Sequence, residues 1–257
     1  MELAILAARR GGGIAADRVP QEKLVNQKSR GNVVTDVDLR AEREITSLLR
    51  REYPQFGILA EEGGGGSTQG SPYVWIVDPL DGSRNYASGL PVFCVNVALA
   101  QDGEIILGVT YDPLRDELFQ AEKDKGALLN NTPISVGKKA TVEESFVGVD
   151  LGYEDGRGRQ ALELMKGIWP GVQGFRVIGS AALGLAYVAC GRFDLYFHHY
   201  LYPWDFASGV LLVTEAGGVI TERGGAPVSL ESTAMVAANP VVHADFLGLT
   251  AGYGWEG

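Results

Sequence analysis

Basic residues are the scarce class in this chain: 22 lysines and arginines face 32 acids, for a formal charge of −10. No basic stripe runs along it, which argues against a nucleic-acid footprint. Cysteine is scarcer still. Cys94 and Cys190 sit among apolar neighbours without CxxC spacing, and two buried free thiols are expected. Only three histidines occur, His198, His199 and His243. No stretch approaches the roughly 20 apolar residues that a membrane span needs, so no membrane partner is expected. The start, Met1-Glu2-Leu3, has no basic region, and its apolar run ends at Arg9-Arg10. That is no secretory signal, and a cytoplasmic location is expected.

What is present reads as an ordinary globular chain, 46% hydrophobic and 21% charged. At 257 residues it can bury roughly three-quarters of its unfolded surface, so a large core needs no staples. A helix is expected from Met1 to about Ala16, frayed by Gly11-Gly12-Gly13. A second follows Thr35, which forms a capping-box pattern with Asp38, and Pro54 ends it. A strand over 56–60 stops at Glu61-Glu62. The glycine tract behind it, Gly63 to Gly66, reads equally as a flexible connection or as a lid over a metal site.

Strands are then expected over 73–77, 92–100, 105–111, 117–121 and 133–136. The turn signals Asp102-Gly103 and Asn130-Asn131 make that sheet antiparallel. Beyond about residue 137 strands and helices alternate, the pattern of a mixed α/β lobe. One domain over 1–257 is expected, with lobes of about 1–137 and 138–257.

The densest signal is Trp75-Ile76-Val77-Asp78-Pro79-Leu80-Asp81-Gly82-Ser83. A strand-like stretch ends in a carboxylate, Pro79 stops the ladder, and a second carboxylate follows one tight turn later. Gly82 permits a sharp backbone and Ser83 opens a helix. Carboxylates and the Leu80 carbonyl suit Mg²⁺, and free helix-start N–H groups suit a phosphate. A bound divalent cation also inverts the local sign, which is what lets so acidic a chain accept a phosphate ester. Two-metal phosphoryl chemistry needs carboxylates bridging cations roughly 3.5–4 Å apart. Asp78 is the best bridge and Asp81 lies one turn on. Glu61, ending a strand, and Asp205, opening a helix in Tyr202-Pro203-Trp204-Asp205, have the right local form to join them. Metal-activated water needs no histidine as its base.

Asp78-Pro79-Leu80-Asp81-Gly82-Ser83, with Ala60-Glu61-Glu62 before it, resembles the inositol monophosphatase family. So do Trp204-Asp205-Phe206-Ala207-Ser208-Gly209 and Thr214-Glu215-Ala216-Gly217-Gly218 after it. The resemblance runs from about Lys28 to Asn239. It implies a layered α-β-α-β-α sandwich, α+β to α/β in class, with an antiparallel N-terminal and a mixed C-terminal sheet. It implies a lithium-sensitive, Mg²⁺-dependent phosphatase, two or three ions per site, and a homodimer. Glu61, Asp78 and the Leu80 carbonyl would hold one ion; Asp78, Asp81 and Asp205 a second; Glu61 would help with a third. Ser83 and Glu61 would orient the attacking water, and the N–H groups of Gly82 and Ser83 would receive phosphate oxygens. Gly179, Ser180 and Ala181 match the stretch that touches substrate hydroxyls, and Lys28 matches a lysine near the site.

The chain departs from that pattern in three places. Serine stands where threonine is usual at 83, and Arg84 replaces a small polar residue. His198 stands seven residues before Asp205, where an acid that holds inositol hydroxyls is expected. The expected substrate is therefore a small polyol or sugar phosphate, with fructose 1,6-bisphosphate, a nucleotide phosphate and histidinol phosphate left open. A haloacid-dehalogenase-type phosphatase is a second reading, although its two acids lie two residues apart rather than three. A catalytically idle interaction module is a third.

Overall fold

The computed structural model describes residues 1–19, 25–29, 32–63 and 70–253. Five layers stack in the order helices, sheet, helices, sheet, helices. The outer pair α1 (Glu2–Arg18) and α2 (Asp36–Glu52) covers one face of a seven-stranded sheet. That sheet runs β3 (Gly57–Ala60), β4 (Tyr73–Asp81), β5 (Cys94–Gln101), β6 (Glu104–Asp112), β7 (Glu117–Glu122), β8 (Ala127–Leu129) and β9 (Thr132–Pro133) in spatial order. Its ladders are antiparallel except at one edge, where β3 pairs parallel with β4. A short hairpin, β1 (Val25–Ser29) and β2 (Asn32–Thr35), leads into α2.

The second sheet has five strands, ordered β11 (Gly174–Val177), β10 (Phe146–Asp150), β12 (Leu195–His198), β14 (Met235–Ala238) and β13 (Val219–Thr221). Its pairs at β10 are parallel and those at β14 antiparallel. Helices α5 (Ala181–Ala189) and α6 (Pro203–Glu215) form the layer between the sheets. Helices α4 (Asp155–Ile168) and α7 (Pro240–Thr250) close the far side. Strand alternation produces the layering. Val147, Val149, Leu195 and Phe197 pack outward on α4 and α7, whereas Tyr196, Met235 and Ala237 face α5 and α6.

Three expectations need correction. The strand expected over 133–136 is only the two-residue edge strand β9, Thr132–Pro133. Helix α1 does not fray at its glycines but runs through them to Arg18. Gly11 and Gly12 are buried contact points: a Cβ on Gly11 would lie 2.6 Å from Ile45 Cδ1, and one on Gly12 2.7 Å from Tyr111 Cδ1. Pro79 does not end β4 either. Asp78 pairs with Asn96 and Asp81 with Cys94, so β4 carries one extra residue across that interval, a β-bulge. The ladder survives because a bulge is where a residue without an N–H can sit.

That bulge positions the site. Plain alternation would send Asp78 and Asp81 to opposite faces of the sheet. The extra residue resets the phase: Leu80 turns outward to pack near Ala15 and Val37, and Asp81 turns inward to α5. Both acids then face the central layer. The short helix α3 (Ser83–Ser88) follows, with Gly82 as its cap at φ 97°. No other residue fits there, because a Cβ would stand 2.8 Å from the Val92 carbonyl.

Candidate active site

Asp78, Asp81 and Asp205 each bring a carboxylate oxygen to within 4.8 Å of the others. Asp205 arrives from the third position of α6, where Pro203 starts the helix and Asp205 Oδ2 accepts the Tyr202 N–H at 2.7 Å. Asp81 Oδ2 is held by the Ser180 hydroxyl at 2.5 Å and the Ala182 N–H at 2.9 Å, with Cys94 Sγ at 3.6 Å. Cys94 is thus a buried thiol, as expected, and also a neighbour of the cluster. Cys190 is only partly buried. Asp78 Oδ1 accepts the Leu80 N–H at 3.0 Å, the amide left over by the bulge, while its Oδ2 is buried with no hydrogen-bond partner.

Burial, and then the charges of Glu61, Asp81 and Asp205, push the Asp78 carboxyl well above the usual range. Burial also raises Asp81. Glu61 lies outside the 4.8 Å group, yet its charge is the largest one acting on Asp78. It stands at the end of β3, where its N–H reaches the Val77 carbonyl at 3.3 Å. The next residue is anchored too, because the Glu62 N–H donates to Glu42 Oε2 at 2.7 Å. An all-oxygen set of like charges, Asp78 and Asp81 buried and Glu61 and Asp205 half-buried, with one orphaned oxygen fits a hard divalent cation. Glu61, Asp78, Asp81, Asp205 and the Leu80 carbonyl are the groups that could hold it.

Ser83 lies beside this cluster. Its Oγ is 2.6 Å from Asp38 Oδ1 and 2.8 Å from the Leu80 carbonyl. Asp38 is itself fixed, since Oδ2 accepts both the N–H (2.8 Å) and the hydroxyl (2.5 Å) of Thr35, and burial raises its pKa. Sequence reading finds only the first half of this. The capping box of α2 is present, but the second use of Asp38, against a residue 45 positions away, has no local signal.

A cavity of about 170 Å³ opens from Asp81 and Asp205. Of the residues expected to meet substrate, Gly179, Ser180, Ala181, His198 and Asp205 line it and Gly82 and Ser83 do not; Arg84, Tyr153 and Asp150 line it as well. Asn85 ties the segment after the Asp78–Asp81 turn to that wall by donating to the Ile178 carbonyl at 2.7 Å. Arg84 lies over the Tyr153 ring, 4.3 Å from its centroid. His198 is buried, and its Nδ1 accepts the Tyr200 N–H at 3.0 Å. The imidazole is therefore neutral with its proton on Nε2, and burial holds its pKa down at about 3. Asp150, which no motif flags, is buried and raised to about 7 by that burial. The side chain of Lys28 and the glycine tract beyond Gly63 lie outside the described residues.

Acid cluster, Ser83–Asp38 pair and five-layer sandwich together point to the superfamily of layered phosphatases. Residues 1–252 match the inositol monophosphatase family, generally Mg²⁺-dependent, and the chain belongs to it. It is 38% identical over 268 residues to the Nus factor SuhB of Xylella fastidiosa, covering 100% of this chain and 96% of that one. It is 38% identical over 224 residues to the inositol-1-monophosphatase of Mesorhizobium japonicum, covering 86% and 84%. The inositol monophosphatase structure from Anabaena matches with a TM-score of 0.88 at 34% identity, over 98% of this chain and 94% of that one. Membership sets aside the haloacid-dehalogenase-type reading. No described helix is long and apolar enough to cross a membrane.

Proposed function

We propose that this chain is a Mg²⁺-dependent phosphomonoesterase that hydrolyses a small polyol or sugar phosphate, similar to inositol monophosphate, by attack of water. The observation that carries it is the meeting of Asp78, Asp81 and Asp205, from segments far apart in the chain, around an Asp78 oxygen without a partner. Glu61, Asp78, the Leu80 carbonyl, Asp81 and Asp205 would hold two or three Mg²⁺. When bound, Mg²⁺ neutralises charge on the transferring phosphoryl group and acidifies water towards a pKa of about 7.

The protein groups do the positioning. Ser83 has one proton and two acceptors for it; with Asp38 as the acceptor, its oxygen is left to take a hydrogen bond from the attacking water. Thr35 keeps Asp38 in place for that task. The N–H groups of Gly82 and Ser83 receive phosphate oxygens, and Gly179, Ser180, Ala181 and His198 face the leaving alcohol. The cavity lies below the range of about 300–1,000 Å³ typical of drug-sized ligands, which favours a small alcohol over a nucleotide. Fructose 1,6-bisphosphate is the nearest alternative. A homodimer in the cytoplasm is the working state.

The test is phosphate release across inositol, fructose, nucleotide and histidinol phosphates. Activity should vanish in EDTA, return with Mg²⁺, and fall with millimolar lithium. Asp78→Asn and Asp205→Asn should each cut turnover roughly 10²- to 10³-fold or more. In EDTA Asp78→Asn should melt higher than wild type, because it removes charge repulsion in a buried cluster. Added Mg²⁺ should stabilise the wild type and not the variant. Turnover unaffected by EDTA would sink the reading. The name of the Xylella relative favours a second reading, an idle chain that works through a partner surface. Full cellular function in Asp81→Asn, with hydrolysis abolished, would favour it.

A further inference from the structure

Asn96 of β5 is the buried neighbour of the acid cluster. It pairs in register with Asp78 on β4 and with Thr110 on β6, so the three side chains share one face of the sheet, the one covered by α6. Cβ atoms of antiparallel partners stand about 4.5–5.5 Å apart, which sets Asn96 beside the carboxylate of Asp78. Both residues are only 1% exposed, so solvent does not reach the pair.

The amide of Asn96 is held at one end only. Its Oδ1 accepts the Thr110 hydroxyl at 2.9 Å and the Ser208 hydroxyl at 3.2 Å. Its Nδ2, with two N–H donors, has no hydrogen-bond partner among the described residues. Asp78 Oδ2 is the matching orphan, an acceptor that no described donor meets. The two branches of an amide diverge, and Oδ1 is spent on the β6 side, so Nδ2 is left on the side of Asp78. Turning the amide over would set Oδ1 against the carboxylate, acceptor against acceptor. The hydroxyl end depends on a close approach. A Cβ on Gly108 would stand 2.8 Å from the Ser208 carbonyl oxygen, and its absence lets α6 come near enough to β6 for Ser208 to reach Asn96. The same face of α6 carries Asp205 one turn earlier.

A buried donor and a buried acceptor left unmet side by side are costly. The terminal torsion of both residues turns through a broad well, so a small rotation joins them. Such a bond does not compete with a cation, because each carboxylate oxygen offers about two lone pairs. We propose that Asn96 is a positioning residue for Asp78: its side-chain N–H donates to Asp78 Oδ2 and fixes the direction in which that oxygen presents its remaining lone pair. Thr110 and Ser208 hold the amide from the core side. A ligating carboxylate needs such support, since an unbraced one rotates away from its aim. This rests on the metal-dependent reading of the same acids.

The test is Mn²⁺ binding to the metal-free full chain without substrate, the free ion being counted by electron paramagnetic resonance. Asn96→Leu, close in size and without a donor, should weaken the tightest site roughly 10- to 100-fold. Melting in EDTA is the second readout, because the lost bonds of Oδ1 show there. Thr110→Val removes one of those core bonds and leaves the Asn96 donor in place, with Ser208 still holding the amide. It should melt lower than wild type and keep most of the affinity. Unchanged Mn²⁺ affinity in Asn96→Leu overturns the proposal at any melting temperature, since Asn96 would then only brace the core. An equal loss of affinity in Thr110→Val also overturns it, because core damage alone would account for both. Should Asn96→Leu fail to fold, the smaller Asn96→Ala takes its place under the same criteria. A wild type that takes up no Mn²⁺ sinks the metal-dependent reading and this one with it. Equal uptake by wild type and variant sinks this one alone.

Discussion

Ser83 has a single proton, for which Asp38 Oδ1 and the Leu80 carbonyl compete; in the proposed water attack its oxygen is left as the acceptor. Ser83→Ala should therefore lower kcat roughly 10²-fold while the Mg²⁺ concentration for half-maximal activity stays put. A matching shift in that midpoint would instead make Ser83 part of the metal site. His198 permits a prediction about acid. Its folded pKa of about 3 lies below the ordinary 6.5, so the unfolded chain takes up a proton that the native state refuses. The stability this neutral ring contributes is complete above pH 6.5 and lost as pH falls towards 3. Asp150 acts in the opposite sense. Its folded pKa near 7 exceeds 3.8, so its contribution is complete below about pH 4 and lost as pH rises through 7. In EDTA, His198→Gln should lose stability less steeply than wild type between pH 6.5 and 4, read from thermal melts. Parallel curves would refute it. Residues such as Asp78 and Asp81 are legible in the sequence because one turn carries both. Asp150 is not, because its partners lie 29 and 46 residues away.

At the scale of elements, the three glycines of α1 separate propensity from packing. Read along the chain they weaken a helix; in the folded protein two of them are where α2 and β6 approach it. Gly13 is exposed with nothing within 4 Å of an added Cβ. Gly13→Ala should raise stability by about 0.5–1 kcal/mol. Gly11→Ala and Gly12→Ala should lower it by about 1–3 kcal/mol, through contacts with Ile45 and Tyr111. Melting temperatures of the three variants decide, and three equal gains would mean that only propensity matters. The β4 bulge makes a related point. Pro79 is a sound signal for a broken ladder, but a local signal does not tell an ending from a bulge; pairing with Asn96 and Cys94 does.

In the whole molecule, α5 and α6 belong to both sheets. Phe119 and Ala121 of one sheet and Tyr196, Met235 and Ala237 of the other share one core with these helices. The clustered acids also straddle the lobes, with Asp78 and Asp81 from β4 and Asp205 from α6. Ser180 at the start of α5 holds Asp81 across 99 residues of chain. Each expected lobe has an outer interior of its own, but the two share this central one, so calorimetry should show one cooperative transition with calorimetric and van't Hoff enthalpies in agreement. Two resolved transitions would mean that the lobes near residue 137 unfold as units.

The linear order of residues determined which segments alternate as strands, where Thr35 caps a helix, and which turn crowds two acids together. Those outcomes depend on neighbours a few bonds apart. Only the tertiary structure decided that the two acids share a face, that Asp38 holds Ser83, and that Asp150 stands beside His198. Each of these needs segments brought together from distant parts of the chain, and a buried carboxylate is strained by other charges only once they are packed against it.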